Sequence, residues 1–258
     1  MVQYSEQVKH FPSIESLREF SPLERVVASL QSNMPNHNVQ SYFEQKPTLL
    51  ANADDIAVAW NGSSSGSDVV GLIALRHYMA QEDSPSFVHI STIHIAEEKQ
   101  KGMLLKRLIA SAYLGIWNRK GSLPTWTALK TFNPSTYNVL LRLKRMLGSS
   151  AVLYPTMAKE KEDNEGKNLR VMTVAANIAA RLEPECVFDS DFSVIRGGGG
   201  VVGGNYWLTD PRSNHNKINH FFDQRLTRAD RMLCLLGLNE ELGKSNALKL
   251  ITRWANGK

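Results

Sequence analysis

One stretch constrains the fold more than any other. Phe87–Ile95 (FVHISTIHI) is a long run of β-branched and aromatic residues, the types that fit a pleated surface. A polar turn (AEEKQK) follows, and beyond Gly102 the apolar period changes. Leu104, Leu105, Leu108, Ile109, Ala112 and Ile116 recur along one face of a helix. A strand that ends in a polar turn and opens a helix gathers several unpaired main-chain N–H groups at one place. Together with the positive end of the helix dipole, those groups suit a phosphate or pyrophosphate. Lys99 and Lys101 add positive charge beside them.

The flanking sequence sets this unit in an α/β chain. Residues 1–20 read as an irregular segment. Ser21 and Pro22 open a helix over LERVVASL, with Ser21 as N-cap and Pro22 in the first turn, and a second helix is expected at Val39–Gln45. Ile56–Trp60 and Val69–Tyr78 flank the turn Asn61–Ser67 and predict an antiparallel strand pair. After the helix come a strand at Thr125–Thr131 and a helix that starts at Asn133-Pro134 and ends at Gly148. A short strand, Ala151–Tyr154, is closed by Pro155. The charged run Lys159–Asn168 predicts a solvated loop.

Further on, Val171–Leu182 predicts a helix and Val187–Ile195 a strand, and Arg196–Trp207 is a glycine-rich lid or hairpin. Ile218–Leu226 predicts a helix, Met232–Leu238 a strand and Asn239–Ala255 a helix. No linker isolates this last third. Residues 21–158 are therefore expected to form a core, with 159–258 as an extension packed on it. Met232–Leu238 (MLCLLGL) is apolar on both faces, which suits a strand inside a sheet.

Composition excludes several classes. At 42% hydrophobic and 21% charged residues the chain is globular rather than disordered. Cys186 and Cys234 make neither a disulfide framework nor a metal pair, so a reducing, cytoplasmic setting is expected. The opening MVQYSEQVKHF has no apolar core of signal-peptide length, and no window reaches the length of a membrane span. His215 and His220, five apart, fall on different faces of a helix, so no metal site is expected. The glycine run lacks the Gly-Lys-Ser/Thr ending of a phosphate loop, and no G-x-S-x-G occurs. A net charge of +5 with dispersed basic residues gives no stripe for nucleic acid.

The order of elements over Ser21–Pro155, with the turn Ile95-Ala96-Glu97-Glu98-Lys99-Gln100-Lys101-Gly102-Met103-Leu104, resembles the GNAT acyltransferase family. That family's long strand ends in V-x-x-x-x-(Q/R)-x-x-G-x-(G/A). Here Lys99 stands at the Gln/Arg position if Gly102 is aligned, and Leu104 replaces the last small residue. Aligning Gln100 instead puts Met103 where the glycine belongs. The resemblance implies a GNAT-like mixed central sheet flanked by helices, with the C-terminal extension completing or covering the sheet. It implies acetyl-CoA or another acyl-CoA as co-substrate, its pyrophosphate over Gln100, Lys101, Gly102, Met103 and Leu104. The thioester carbonyl would lie near an N–H at Ile95, and Asn133 would match the family's strand-to-helix asparagine.

The family's proton-donating tyrosine falls at Leu140 or Leu141 here, which leaves Tyr137, one turn in, as the nearest substitute. An attacking amine must also lose a proton, since a lysine-like amine titrates at about 10.4. Glu97 and Glu98 at the strand end are the candidate bases, and strand alternation lets His94 point into the same cleft. The expected activity is N-acyl transfer, acetyl by default, to the amine of a small molecule. The alternative is a GNAT-fold protein with another donor, or a binding role without acetyl transfer. Neither a membrane nor a nucleic acid is expected as partner, and a homo-oligomer is compatible with the sequence.

Overall fold

The computed structural model describes residues 6–62, 68–100, 102–157, 165–200 and 205–257. The chain divides into two compact units, each drawn from separated stretches. The first is Met1–His77, His89–Leu123 and Lys244–Lys258; the second is Tyr78–Val88 and Pro124–Gly243.

In the first unit, β1 (Gln7–Phe11), β2 (Asp55–Trp60), β3 (Val69–Tyr78) and β4 (Phe87–Ile95) lie side by side in that order. Val8 pairs with Ala59, and Ala59 in turn with Gly71, in antiparallel register. The helices α1 (Ile14–Phe20), α2 (Leu23–Asn33), α3 (Val39–Gln45) and α4 (Thr48–Ala51) connect β1 to β2. The helix α5 (Leu104–Lys120) packs on β1 and β2. Two glycines set how closely it approaches. A Cβ on Gly71 would come 2.8 Å from Leu108 Cδ1, and one on Gly115 would land on the His10 ring.

Residues 6–20 are more ordered than their sequence predicts. β1 has partners more than forty residues away, and no local pattern could announce that pairing. α1 follows through a capping box in which Ser13 and Ser16 exchange side-chain and main-chain hydrogen bonds. This displaces the expected cap at Ser21. Ser21 ends α1, its Oγ is buried without a hydrogen-bond partner, and Pro22 takes the N-cap position of α2.

In the second unit, β9 (Arg231–Leu238) is the central strand. It pairs antiparallel along one side with β5 (Trp126–Thr131), Ala128 opposite Leu235. On its other side it pairs with β6 (Ala151–Tyr154), Leu153 opposite Leu236, and with β8 (Val194–Ile195), Val194 opposite Met232. Met232, Leu233, Cys234 and Leu235 are wholly buried, as expected of an interior strand. The C-terminal third thus completes the sheet that β5 and β6 begin.

The helix α6 (Pro134–Leu147) follows β5. The helix α7 (Glu165–Leu182) places Ala175, Ile178 and Ala179 against Ala128, Leu233 and Leu235. It takes up the end of the charged run read as a loop; residues 159–164 lie outside the described chain. The single strand expected at Val187–Ile195 is a hairpin, β7 (Phe188–Asp189) returning to β8. Of the glycine-rich segment, Gly197–Gly200 are described and 201–204 are not. The helices α8 (Asn216–Asp223) and α9 (Glu240–Ala255) complete the chain. The class is therefore α/β, with strands flanked by helices. Among the described residues no helix is long and apolar enough to cross a membrane, and no cluster of His, Cys, Asp and Glu is arranged to hold a metal.

Candidate functional site

The β4–α5 junction is built from main-chain geometry. Ala96 donates one last sheet bond, to Val70 O at 2.8 Å. The chain then tightens through the 3-10 turn Glu97–Lys99, where the Lys99 N–H donates to Ala96 O at 2.9 Å. The Gly102 N–H donates to Lys99 O at 3.2 Å. α5 then opens with Met103 at its N-cap, which supplies no side-chain acceptor, and with no acidic residue in the first turn. The first N–H groups of a helix have no partner within it, so those of α5 are directed at whatever acceptor comes near.

Around this turn Gln100 and Gly102 are exposed. The Gln100 amide donates to Ile95 O at 3.3 Å and so braces the turn against the strand end. A Cβ on Gly102 would meet only Lys99 O, at an ordinary 3.5 Å. The fold itself therefore does not require glycine there, and its absence of side chain leaves the main chain open to close approach. Leu104 is buried and packs towards Gly71; Met103 is half-buried, its sulfur accepting from Lys106 at 3.4 Å. Ile95 is buried at the end of β4. Lys101 lies outside the described residues.

The candidate bases differ sharply. Glu97 is tied down: its carboxylate accepts from the Asn36 N–H at 2.9 Å and the Asn36 amide at 2.7 Å, and lies 3.2 Å from His37 Nδ1. Burial pushes its carboxyl up, but the bonds from Asn36 and His37 outweigh that and hold it below the usual range. It is a weakened base that anchors the loop between α2 and α3. Glu98 is 69% exposed and makes only a long 3.9 Å approach to Lys99.

His94 is buried, so the ring expected to point into a cleft is part of a packed interior instead. It lies 4.9 Å from the Phe43 ring and 6.0 Å from that of Tyr42, with Nε2 2.7 Å from Thr92 Oγ1. Burial first, and the charge of His37 second, push its pKa down to about 3, so it is neutral at ordinary pH.

Asn133 and Tyr137 belong to the second unit. Asn133 is the N-cap of α6, its Oδ1 accepting from the Ser135 N–H at 2.8 Å, with Pro134 in the first turn. Tyr137 is fully buried and stacks on Phe221 at 5.6 Å. Its hydroxyl donates to Pro155 O at 2.7 Å, and burial pushes its pKa well above the usual phenol value. That hydroxyl is committed to the core rather than presented to a ligand.

Sequence reasoning missed the residues that hold the turn from a distance: Asn36 and His37 on Glu97, and Glu6 on Lys99 and Arg107. The Glu6–Arg107 contact spans 101 positions, and nothing local could have signalled it.

No family model matches the sequence, and no curated protein matches it. Solved structures similar to it include the aminoglycoside N-acetyltransferase AAC(6')-Iy in complex with CoA, 14% identical, covering 62% of this chain and 99% of that one with a TM-score of 0.36. An aminoglycoside acetyltransferase from an uncultured soil metagenomic sample, in complex with sisomicin, is also 14% identical, covering 60% and 91% with a TM-score of 0.35. AtaT complexed with acetyl-methionyl-tRNAfMet is 12% identical, covering 61% and 91% with a TM-score of 0.35. At such identities and scores no residue role transfers from these proteins to this chain.

Proposed function

We propose that the chain is an acyl-CoA-dependent N-acyltransferase, with acetyl-CoA as the default donor and the amine of a small molecule as acceptor. The observation that supports this most is the β4–α5 turn, where an uncapped helix N-terminus, an exposed glycine and the cations of Lys99 and Arg107 meet. Donor amides and fixed positive charge are what a pyrophosphate needs, and the residues present fit one. In this reading the pyrophosphate lies over Gln100–Leu104 and the thioester lies towards Ile95.

The acceptor amine must be deprotonated before it attacks the thioester carbonyl. In this reading Glu98, exposed at the strand end, accepts that proton directly or through water, and Glu97 holds the turn. The departing thiolate takes its proton from solvent, because Tyr137 is engaged with Pro155. His94 and Asn133 act through structure, as a neutral core ring and a helix cap. The engagement of Tyr137 also supports a second reading, in which the same fold binds an acyl-CoA without acetyl transfer.

Titration with acetyl-CoA and CoA tests the proposal. A ligand at a hundredfold excess over its Kd raises stability by about 2.7 kcal/mol. Thermal stabilisation with thiol release from acetyl-CoA in the presence of an amine panel supports the enzyme reading. Stabilisation without thiol release supports the binding reading. No stabilisation by either compound removes both.

A further inference from the structure

Glu6, the residue before β1, stands across the two cations of the turn. One carboxylate oxygen lies 3.0 Å from Lys99 Nζ and the other 3.3 Å from Arg107 Nη1. Arg107 Nη2 also donates to the Glu6 main-chain oxygen at 2.7 Å. The pairing of Gln7 with Trp60 fixes the strand end from which Glu6 projects. Lys99 closes the 3-10 turn and Arg107 sits in the first turn of α5, so the bridge spans the place where the helix amides open. The three side chains are 22%, 29% and 25% exposed, so solvent and solutes can reach them. Burial pushes the Glu6 carboxyl up, but its bond to Lys99 and the two positive charges outweigh this and keep it ionised.

We propose that Glu6 is a resident anion of this turn: its carboxylate occupies Lys99 and Arg107 until a phosphate-bearing ligand displaces it. The proposal rests on the phosphate reading of the turn given above. Carboxylate and phosphate make the same charge-assisted bonds to lysine and arginine, so the two compete for one pair of donors. The other acidic groups near Lys99 are less suited to this role. Glu98 is largely exposed, and the oxygens of Asp68 accept from Asn33 and Asn61. Glu6 thus raises the threshold for anion binding and selects ligands whose phosphates outbid a carboxylate.

The test is a calorimetric titration of inorganic pyrophosphate and of CoA into the full chain at low salt. Three proteins are compared: the unaltered chain, Glu6→Gln, and Glu6→Gln combined with Lys99→Gln and Arg107→Gln. Exposed ion pairs are weak, so Glu6→Gln is expected to bind both probes about three- to tenfold tighter. The gain is expected to vanish in the triple variant. Glu6→Asp, which keeps the charge but withdraws it by a methylene, gives a smaller gain and serves if Glu6→Gln folds poorly. Equal or weaker binding by folded Glu6→Gln, or no binding of either probe by any protein, overturns the proposal. A gain for pyrophosphate with CoA binding no tighter than pyrophosphate upholds the clamp and removes the CoA reading.

Discussion

A second cluster of charged and titratable residues in the first unit lies away from the β4–α5 turn. Asp55 is fully buried, with His10 Nε2 at 2.6 Å, His77 Nε2 at 2.7 Å and Arg119 Nη2 at 2.5 Å from its oxygens. Lys120 Nζ lies 2.5 Å from His77 Nδ1, so His77 donates to Asp55 and accepts from Lys120. Burial pushes the Asp55 carboxyl up, but the bonds from His10, His77 and Arg119 prevail and hold it far below the carboxylate range. Removing one partner of such a cluster strands the rest, so Asp55→Asn is expected to destabilise by about 3–5 kcal/mol in denaturant titration. A loss below about 1 kcal/mol would mean that the cluster is solvated.

His94 gives the pH prediction at the same scale. Its folded pKa, about 3, lies below the ordinary 6.5, so the unfolded chain binds a proton there that the folded chain refuses. The cost is absent above about pH 6.5 and grows as pH falls towards 3, at about 1.4 kcal/mol per pH unit for one proton. His94→Gln is expected to flatten the acid limb of the stability curve by that slope between roughly pH 6 and 4. An unchanged slope would place the ring in water. None of this residue-level chemistry was legible in the sequence. Asp55, His10 and His77 are brought together by strand register across 67 positions, and strand alternation alone could not say what His94 faces.

At the scale of elements the sequence was far more informative. α3 and β6 fall where their residues predict them, and the change of period at Gly102 marks the β4–α5 junction. Such elements declare themselves because their apolar spacing is local. β1 and the β7–β8 hairpin did not, because short strands owe their existence to partners distant in sequence. The junction also separates structure from function. Gly102 needs no positive φ and would accept a Cβ, so Gly102→Ala is expected to change stability by no more than about 0.5 kcal/mol. If a pyrophosphate lies over the turn, the same methyl, or the bulkier Gly102→Val, lowers CoA affinity at least several-fold. A folded Gly102→Val chain with unchanged CoA affinity would remove the site.

At the scale of the whole molecule, the sequence suggested a core ending near residue 158 with an extension packed on it. From the pairing within the second unit we propose that this core does not fold without the extension. β9 is the strand that β5 and β6 share, and a chain cut after Ala158 leaves both facing a gap eight residues long. The cut also strips α7 from Ala128 and its neighbours in the buried cluster. From the first unit it removes residues 244–258, among them Trp254, which is 3% exposed and lies 5.8 Å from Lys106 Nζ. Unpaired strand edges and uncovered apolar faces drive association. The fragment 1–158 is therefore expected to aggregate or to unfold without a cooperative transition, read by size-exclusion chromatography and thermal melting. Restoring residues 159–258 as a separate chain should rescue folding only if β9 can re-enter between β5 and β6. A fragment that stays monomeric, melts cooperatively and binds CoA would instead show that the first 158 residues hold a complete core, and that β9 is an addition to a sheet stable without it.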